Sequence, residues 1–499
     1  MYFWLVACTL APIIWWLWRP LYFKGSGMKY ETPYPVVGNC GKLIASGTLF
    51  FTRHLYNVFP NEKMFGFHFF WRPTLCVRDA NLITDVMVRD FDHFTSNSLR
   101  SNQEYDVTGG NLLFLHGMQW REVRNKLSPF FTPFKVKSMM ASVDVSMPKA
   151  EKILQESLTT DEPIDVANLL AQITVDVITQ ACFGIESDTF EENSKFRPLA
   201  SMFFSPFVNV MFTIREISET LFRYLRLQSF DLKSSLFLKK LMKDLVEYRK
   251  KNKVQGNDFV QGIIEIMDKE LPRKNGANDK IEFFPDGTRV PKFDFDELFL
   301  QALVIFIGGV ESTASTMTWL FYELARNQEI QDLCREEVLE VVKKTGRPVG
   351  LESQNEIPTV VGAINEAVRM YPPFVLIGRI CTKTYTFRGT DVTIEPGQLI
   401  FIPIEPLQRD PNLFLNPNTF DPGRWRGEKP GLLGAFGLGP RQCLGKSFAM
   451  HQMILVVARL LQNYKFALHP TTENPPTVDK IKLIYSPAKP IMFSISHVE

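Results

Sequence analysis

The 499-residue chain has few cysteines and no pattern that would organise them. Its seven cysteines lie scattered at positions 8, 40, 76, 182, 334, 381 and 443, with no C-x-x-C pair. An odd, widely spaced set excludes a disulfide framework and fits a reducing compartment. The seven histidines include no H-E-x-x-H or cysteine–histidine ligand spacing, so no zinc site is expected. An excess of one charge is lacking too: 56 basic residues face 54 acidic ones, for a net charge of +2. That balance argues against nucleic acid as the main partner. No G-x-G-x-x-G fingerprint is present; after Gly437 and Gly439 the third position is Gln442. Without a nicotinamide or flavin site of its own, the chain would have to receive electrons from a partner.

What the chain has in abundance is apolar residues, 45% of the total with 42 Phe, enough for a large core. Residues 1–18 carry no charge, and as a helix they would cover about 27 Å, near the thickness of a thin bilayer. Arg19, Lys24 and Lys29 follow, with no basic residue before them. The positive-inside rule then places the body in the cytosol. A cleaved signal peptide would want a basic start and a small-residue cleavage site, and both are missing. The expected organisation is a transmembrane signal anchor over 1–18, a basic, proline-rich hinge over 19–39 and one large domain over 40–499.

The most informative stretch is Phe436-Gly-Leu-Gly-Pro-Arg-Gln-Cys-Leu-Gly445, followed by a helical pattern from Lys446. Glycines let a backbone turn tightly and approach a flat ligand closely. A cysteine just before a helix start faces amide N–H groups and the positive dipole end, which lower its pKa. Such a thiolate suits an axial haem ligand, because sulfur pushes electron density onto iron. Read alone, a single cysteine is more often a small buried hydrophobe. Yet Phe436, Gly439, Arg441, Cys443 and Gly445 stand as F-x-x-G-x-R-x-C-x-G, and this resembles the haem-binding signature of cytochromes P450.

Four further stretches carry the same resemblance in order. Trp120 and Arg124 sit at i and i+4 on one predicted helix face, like the family's W-x-x-x-R motif. Phe293 to about Asn327 reads as one long apolar helix with Gly308-Gly-Val-Glu-Ser-Thr313 at its middle. Two helix glycines cost about 1 kcal/mol each relative to Ala, and Ser312 can hydrogen-bond back to the Gly308 carbonyl. Close helix packing through small residues is the plain reading of such a pair. The resemblance implies instead an oxygen-activation groove, with Ser312 where the family has threonine. Glu366 and Arg369, with Arg424 downstream, resemble the E-x-x-R helix and its following segment, and imply a structural triad. Gly378-Arg379 matches a strand whose arginine joins the haem propionates, and Ala435 replaces a common proline.

The resemblance implies a mainly α fold with minor β, the triangular helical prism of the P450s. It implies haem b, held through Cys443 as the metal ligand. Trp120, Arg124, Arg379 and Arg441 would bind the propionates, while Phe436, Gly439 and Gly445 shape the loop. Glu311, Ser312 and Thr313 would serve catalysis by steering protons to bound dioxygen. One oxygen atom would then enter a lipophilic small molecule, either a xenobiotic such as a plant toxin or insecticide, or an endogenous hormone or lipid. Pocket residues would come from 100–117, Phe203–Phe207, Ile305–Glu311, Phe374–Ile377 and Leu483–Tyr485, and the greasy segment 201–212 would roof the pocket. Electrons would come from NADPH through NADPH–cytochrome P450 reductase, with cytochrome b5 a further candidate donor. Arg121, Lys126, Lys135, Lys137 and Lys446 are candidates for the docking face. The endoplasmic reticulum membrane is the implied location. The texture around Asn111–Leu115 and Lys126–Thr132 is most like insect microsomal P450s of the detoxification type. An oxygen-independent haem-thiolate isomerase and a non-catalytic haem-binding protein remain as alternatives; retention of Glu311-Ser312 speaks against the first.

Overall fold

The long apolar run at the centre of the chain forms its longest helix, and the rest is arranged against it. The computed structural model describes residues 21–498 apart from 25–26, 36, 100–105, 198, 200–205, 271–282, 285–286, 289, 291–293 and 428–433. The expected anchor over 1–18 lies outside the described residues. Helices of ten residues or more are α1 (Gly41–Val58), α2 (Gly117–Leu127), α3 (Ala141–Thr160), α4 (Val166–Ile178), α5 (Pro206–Ile217) and α6 (Leu232–Asn252). They continue as α7 (Phe259–Glu270), α8 (Phe295–Arg326), α9 (Gln328–Thr345), α10 (Pro358–Met370) and α11 (Lys446–Asn463).

Helix α8 starts where Asp294 caps it, its carboxylate accepting from the Asp296 and Glu297 amides. It ends at Asn327, close to the boundary expected from the apolar pattern. Both α8 and the segment Val166–Phe183 are long and apolar enough to cross a membrane. Their windows are 61% and 78% buried inside the protein, however, which makes them core helices. They pack on each other, with Phe183 stacked on Phe306 at 6.1 Å between ring centres. Helix α8 also contacts α9, α10 and α11.

The β structure is small. Strands β1 (Met64–Phe69), β2 (Arg72–Val77), β3 (Ser96–Asn97), β5 (Leu376–Ile380) and β8 (Leu399–Pro403) form one sheet in the order β1-β2-β8-β5-β3. Strands β4 (Ile164–Asp165), β10 (Met492–His497) and β9 (Tyr464–Leu468) form a second, and β6 (Tyr385–Thr386) pairs with β7 (Thr393–Ile394). Arg72-Pro73 lies inside β2. The turn is Phe70-Trp71, with Phe70 at φ 52°. Pro73 is tolerated because the pairing of β2 with β8 begins only at Thr74.

Glu366 and Arg369 on α10 are fully buried and joined by two bonds of 2.8 Å. Arg424 donates to the same carboxylate at 3.2 Å, as the sequence pattern implied. Two donors not foreseen complete its shell, the Trp425 indole at 3.0 Å and the Asp421 amide at 3.2 Å. Arg369 also reaches the Gln408 carbonyl at 2.7 Å, and Arg424 the Leu415 carbonyl at 2.8 Å. One carboxylate therefore fixes α10 against the irregular chain that leads towards the cysteine loop.

Candidate active site

The loop before α11 is folded by its own backbone. The Gly437 amide bonds to the Gly434 carbonyl at 2.8 Å, and Gln442 to Gly439 at 3.0 Å. The Cys443 amide closes the turn on the Phe436 carbonyl at 2.7 Å. Gly437 and Gly439 take left-handed φ values of 71° and 66°. A Cβ on Gly439 would lie 2.0 Å from the Met87 carbonyl oxygen, so protein packing already demands glycine there. Gly445 differs: it caps α11 at φ −87°, and a Cβ there would meet nothing within 4 Å.

Cys443 opens onto a pocket of about 430 Å³ that Arg124, Phe131, Lys446 and Met450 help to line. The sequence reading expected its pKa to be lowered, but burial raises it. The Gly445 amide, Arg124 and Lys446 all favour the thiolate and do not outweigh that burial. Metal coordination would deprotonate such a thiol outright. Among the described residues no group of three or more His, Cys, Asp or Glu side chains converges to hold a metal. An ion at Cys443 would bring its remaining ligands with it, as a porphyrin does.

Beside the sulfur lies a cluster of cations. Burial, with Arg379 and Arg124 nearby, holds the Arg441 guanidinium well below its usual pKa. Burial alone pushes Arg379, on β5, down to about 10, and its Nε is buried without a hydrogen-bond partner. Arg124 is lowered by burial, with Cys443 opposing the shift. Arg441 lies 4.4 Å over the Trp120 ring, donates from Nε to the Thr95 carbonyl at 2.7 Å, and donates to the Leu115 carbonyl. Cations gathered out of water repel one another unless an anion joins them. The cluster therefore fits the two carboxylates of a haem.

A second cluster lies on α8. Ser312 donates from Oγ to the Gly308 carbonyl at 2.7 Å, as its spacing predicted. The two glycines divide the two readings of the pair between them. A Cβ on Gly309 would lie 2.8 Å from Ile178 Cδ1, so Gly309 serves close packing on α4. A Cβ on Gly308 would meet nothing within 4 Å, so that side of the turn faces open space. Burial pushes Glu311 up to about 8, with Lys482 opposing and Asp479 reinforcing the shift, and its Oε2 is buried without a partner. Thr313 is buried.

Residues 28–495 match the family description "Cytochrome P450". The chain belongs to the cytochrome P450 family. It is 30% identical over 477 residues to the probable cytochrome P450 6a13 of Drosophila melanogaster, covering 92% of this chain and 91% of the relative. Cytochrome P450 6a8 of the same fly is 30% identical, covering 97% and 95%, and cytochrome P450 6k1 of Blattella germanica is 28% identical, covering 94% and 91%. As a P450 the protein is a haem-thiolate monooxygenase, a mainly helical enzyme with small sheets.

Some expected residues of this P450 have other local partners. Arg121 pairs with Asp92 at 2.9 Å and Lys126 with Glu122 at 3.2 Å. Lys135 and Lys446 sit over the Phe130 and Phe436 rings at 4.7 and 5.7 Å, while Lys137 is exposed. Phe203 lies outside the described residues, and Phe207 is on the outer face of α5, 48% exposed. Phe306 packs against Phe183, and Tyr485 packs against Trp319 and Tyr371. Sequence reasoning missed Thr95 and Leu115 as carbonyl anchors of Arg441, because a backbone acceptor leaves no mark on residue identity.

Proposed function

We propose that this P450 oxidises lipophilic small molecules of the xenobiotic kind, with electrons from NADPH through NADPH–cytochrome P450 reductase and cytochrome b5 as a further candidate donor. Residues 1–18 anchor it in the endoplasmic reticulum membrane, 19–39 form the hinge, and 40–499 form the cytosolic catalytic domain. The observation that carries the site reading is the thiol of Cys443 beside three desolvated arginines. In this reading Cys443 ligates iron, and Trp120, Arg124, Arg379 and Arg441 hold the propionates. Phe436, Gly439 and Gly445 keep the loop in shape. Bound haem supplies dioxygen activation and the transfer of one oxygen atom. Glu311 keeps its proton at neutral pH, while Ser312 offers lone pairs on Oγ after donating to Gly308. These two residues move protons into the open side of the turn, and Thr313 supports them from the packed side. Apolar residues near the roof, such as Phe114 and Phe212, suit a lipophilic guest.

The test is the reduced, carbon-monoxide-bound difference spectrum of microsomes expressing the full chain, followed by turnover of lipophilic compounds with NADPH and reductase. A thiolate-type band with NADPH-dependent product supports the reading. A thiolate band with product formed from peroxides alone would replace it with the isomerase reading. A thiolate band with ligand binding and no product would leave a non-catalytic haem protein.

Two results are expected on α8. Ser312→Thr, which restores a β-branched hydroxyl, should raise the ratio of product formed to NADPH consumed. Glu311 has a folded pKa above its unfolded one, so its contribution to stability is full below about pH 4.5 and is lost as pH rises towards about 8. The loss amounts to roughly 4 kcal/mol. Glu311→Gln should flatten that part of the pH profile, read as thermal midpoints at pH 5 and pH 8. An unchanged slope would mean that Glu311 is ionised in the fold.

A further inference from the structure

Beyond Ser312, the same stripe of α8 carries Ser315, Trp319 and Tyr322, spaced as neighbours on one helix face. Trp319 therefore lies about 10 Å along the axis from Ser312, on the same side of the helix. It is buried and lies flat on Tyr371, with ring centres 4.5 Å apart and planes 2° from parallel. Tyr485 touches both rings, 5.4 Å from Trp319 and 5.5 Å from Tyr371, and Tyr322 lies 5.7 Å from Trp319. The Tyr485 carbonyl accepts from Trp319 Nε1 and from Ser315 Oγ, both at 2.8 Å. One indole and three phenols, all buried, thus form a contiguous cluster.

The phenol oxygens are not left to packing. Tyr371 donates its hydroxyl to Glu323 Oε1. Glu323 is itself buried, and its Oε2 takes Asn327 Nδ2 at 3.3 Å and Arg326 Nη1 at 3.6 Å. Tyr322 donates to Asn474 Oδ1 at 2.8 Å, and Asn474 is exposed, so the cluster runs from the Ser312 side of α8 to the surface. An apolar core needs no buried carboxylate, which is costly to desolvate. Indole and phenol are, with the thiol, the side chains most readily oxidised by one electron. A phenol yields that electron easily only when its proton leaves too, because the phenol radical cation is a strong acid. Tyr371 has a carboxylate on its hydroxyl to take the proton, while burial and the Glu323 charge keep it protonated at rest.

We propose that Tyr371, acting through Trp319, is an internal electron donor that reduces haem oxidised beyond its resting ferric state when no substrate takes the oxygen. The inference rests on the haem-site reading above. In one passage an electron leaves Tyr371 for the haem by way of Trp319, and the hydroxyl proton moves to the Glu323 carboxylate. A phenoxyl radical and a carboxylic acid remain. A low-molecular-weight thiolate in solution restores both: its electron enters through Tyr322, and Glu323 returns the proton to Tyr371. The thiolate leaves as a thiyl radical.

The test mixes full-length, substrate-free ferric protein with a peracid and freezes it within milliseconds for electron paramagnetic resonance. A tyrosyl signal is expected, narrowed when the tyrosines are ring-deuterated. Tyr371→Phe and Trp319→Phe should each lose most of it, and their haem should bleach several-fold faster under the peracid. Glu323→Gln still accepts the hydroxyl but cannot take its proton, and should lose the signal too. A signal and bleaching rate unchanged in Tyr371→Phe, with only a lower thermal midpoint, would make the cluster structural and overturn the proposal. Should the variants fail to fold, peptide mass spectrometry of peracid-treated wild type decides. Added oxygen concentrated on Trp319 and Tyr371 supports the chain, whereas oxidation elsewhere with both intact refutes it. A wild-type protein with no thiolate band overturns the haem-site reading; a thiolate band with no tyrosyl signal overturns only this proposal.

Discussion

Cys443→Ala should give a folded protein whose thiolate-type carbon monoxide band, near 450 nm in the family that is named for it, is absent, and whose turnover falls below detection. The two halves of this result have separate physical causes. Folding survives because the loop is held by backbone bonds that alanine keeps, above all the Cys443 amide on the Phe436 carbonyl. The side chain faces a pocket, so removing its sulfur takes little packing from the core. The spectrum is lost because the substitution removes the sulfur whose thiolate character gives the band. Cys443→Ser should behave like the alanine variant, since a hydroxyl holds its proton far more tightly than a thiol. The measurements are far-ultraviolet circular dichroism for the fold and the difference spectrum for the ligand. A wild-type band in either variant would place the thiolate elsewhere.

Glu366→Ala should have the opposite character, with loss of folded protein rather than of one ligand. The carboxylate is fully buried and accepts from Arg369, Arg424, Trp425 and the Asp421 amide. Its removal leaves the Arg369 guanidinium in the core without its counter-charge, while its bond to the Gln408 carbonyl remains. Breaking a buried pair in this way costs about 3–5 kcal/mol, a large share of a typical domain's stability. The variant should express poorly and show little haem incorporation. Glu366→Gln, with its amide oxygen in the Oε1 place, keeps an acceptor for Arg369, Arg424 and the Asp421 amide, and should retain more protein, though less than wild type. Yield and the fraction of thiolate-type haem in membranes provide the readout. Normal levels of both in Glu366→Ala would show that the meander does not depend on this carboxylate.

Much of the site was legible because its chemistry depends on residue type at fixed spacing. Cysteine, arginines and glycines in one loop, and an acid three residues before a base, remain recognisable without coordinates. The Ser312–Gly308 bond was legible for the same reason, since i and i−4 are neighbours on any helix. The Cys443 pKa was misjudged because dipoles and cations are local and visible, whereas burial is contributed by the whole fold.

The sequence by itself determined the family, the cysteine, the order of the motifs and the long apolar helix, because each is written in short-range spacing. Only the tertiary structure decided how Gly308 and Gly309 divide their tasks, that Gly439 answers to the Met87 carbonyl, and that Asp106 meets Arg215. Those contacts join residues as far as 352 positions apart or depend on which face is covered. Packing chooses such partners, and no local pattern records them.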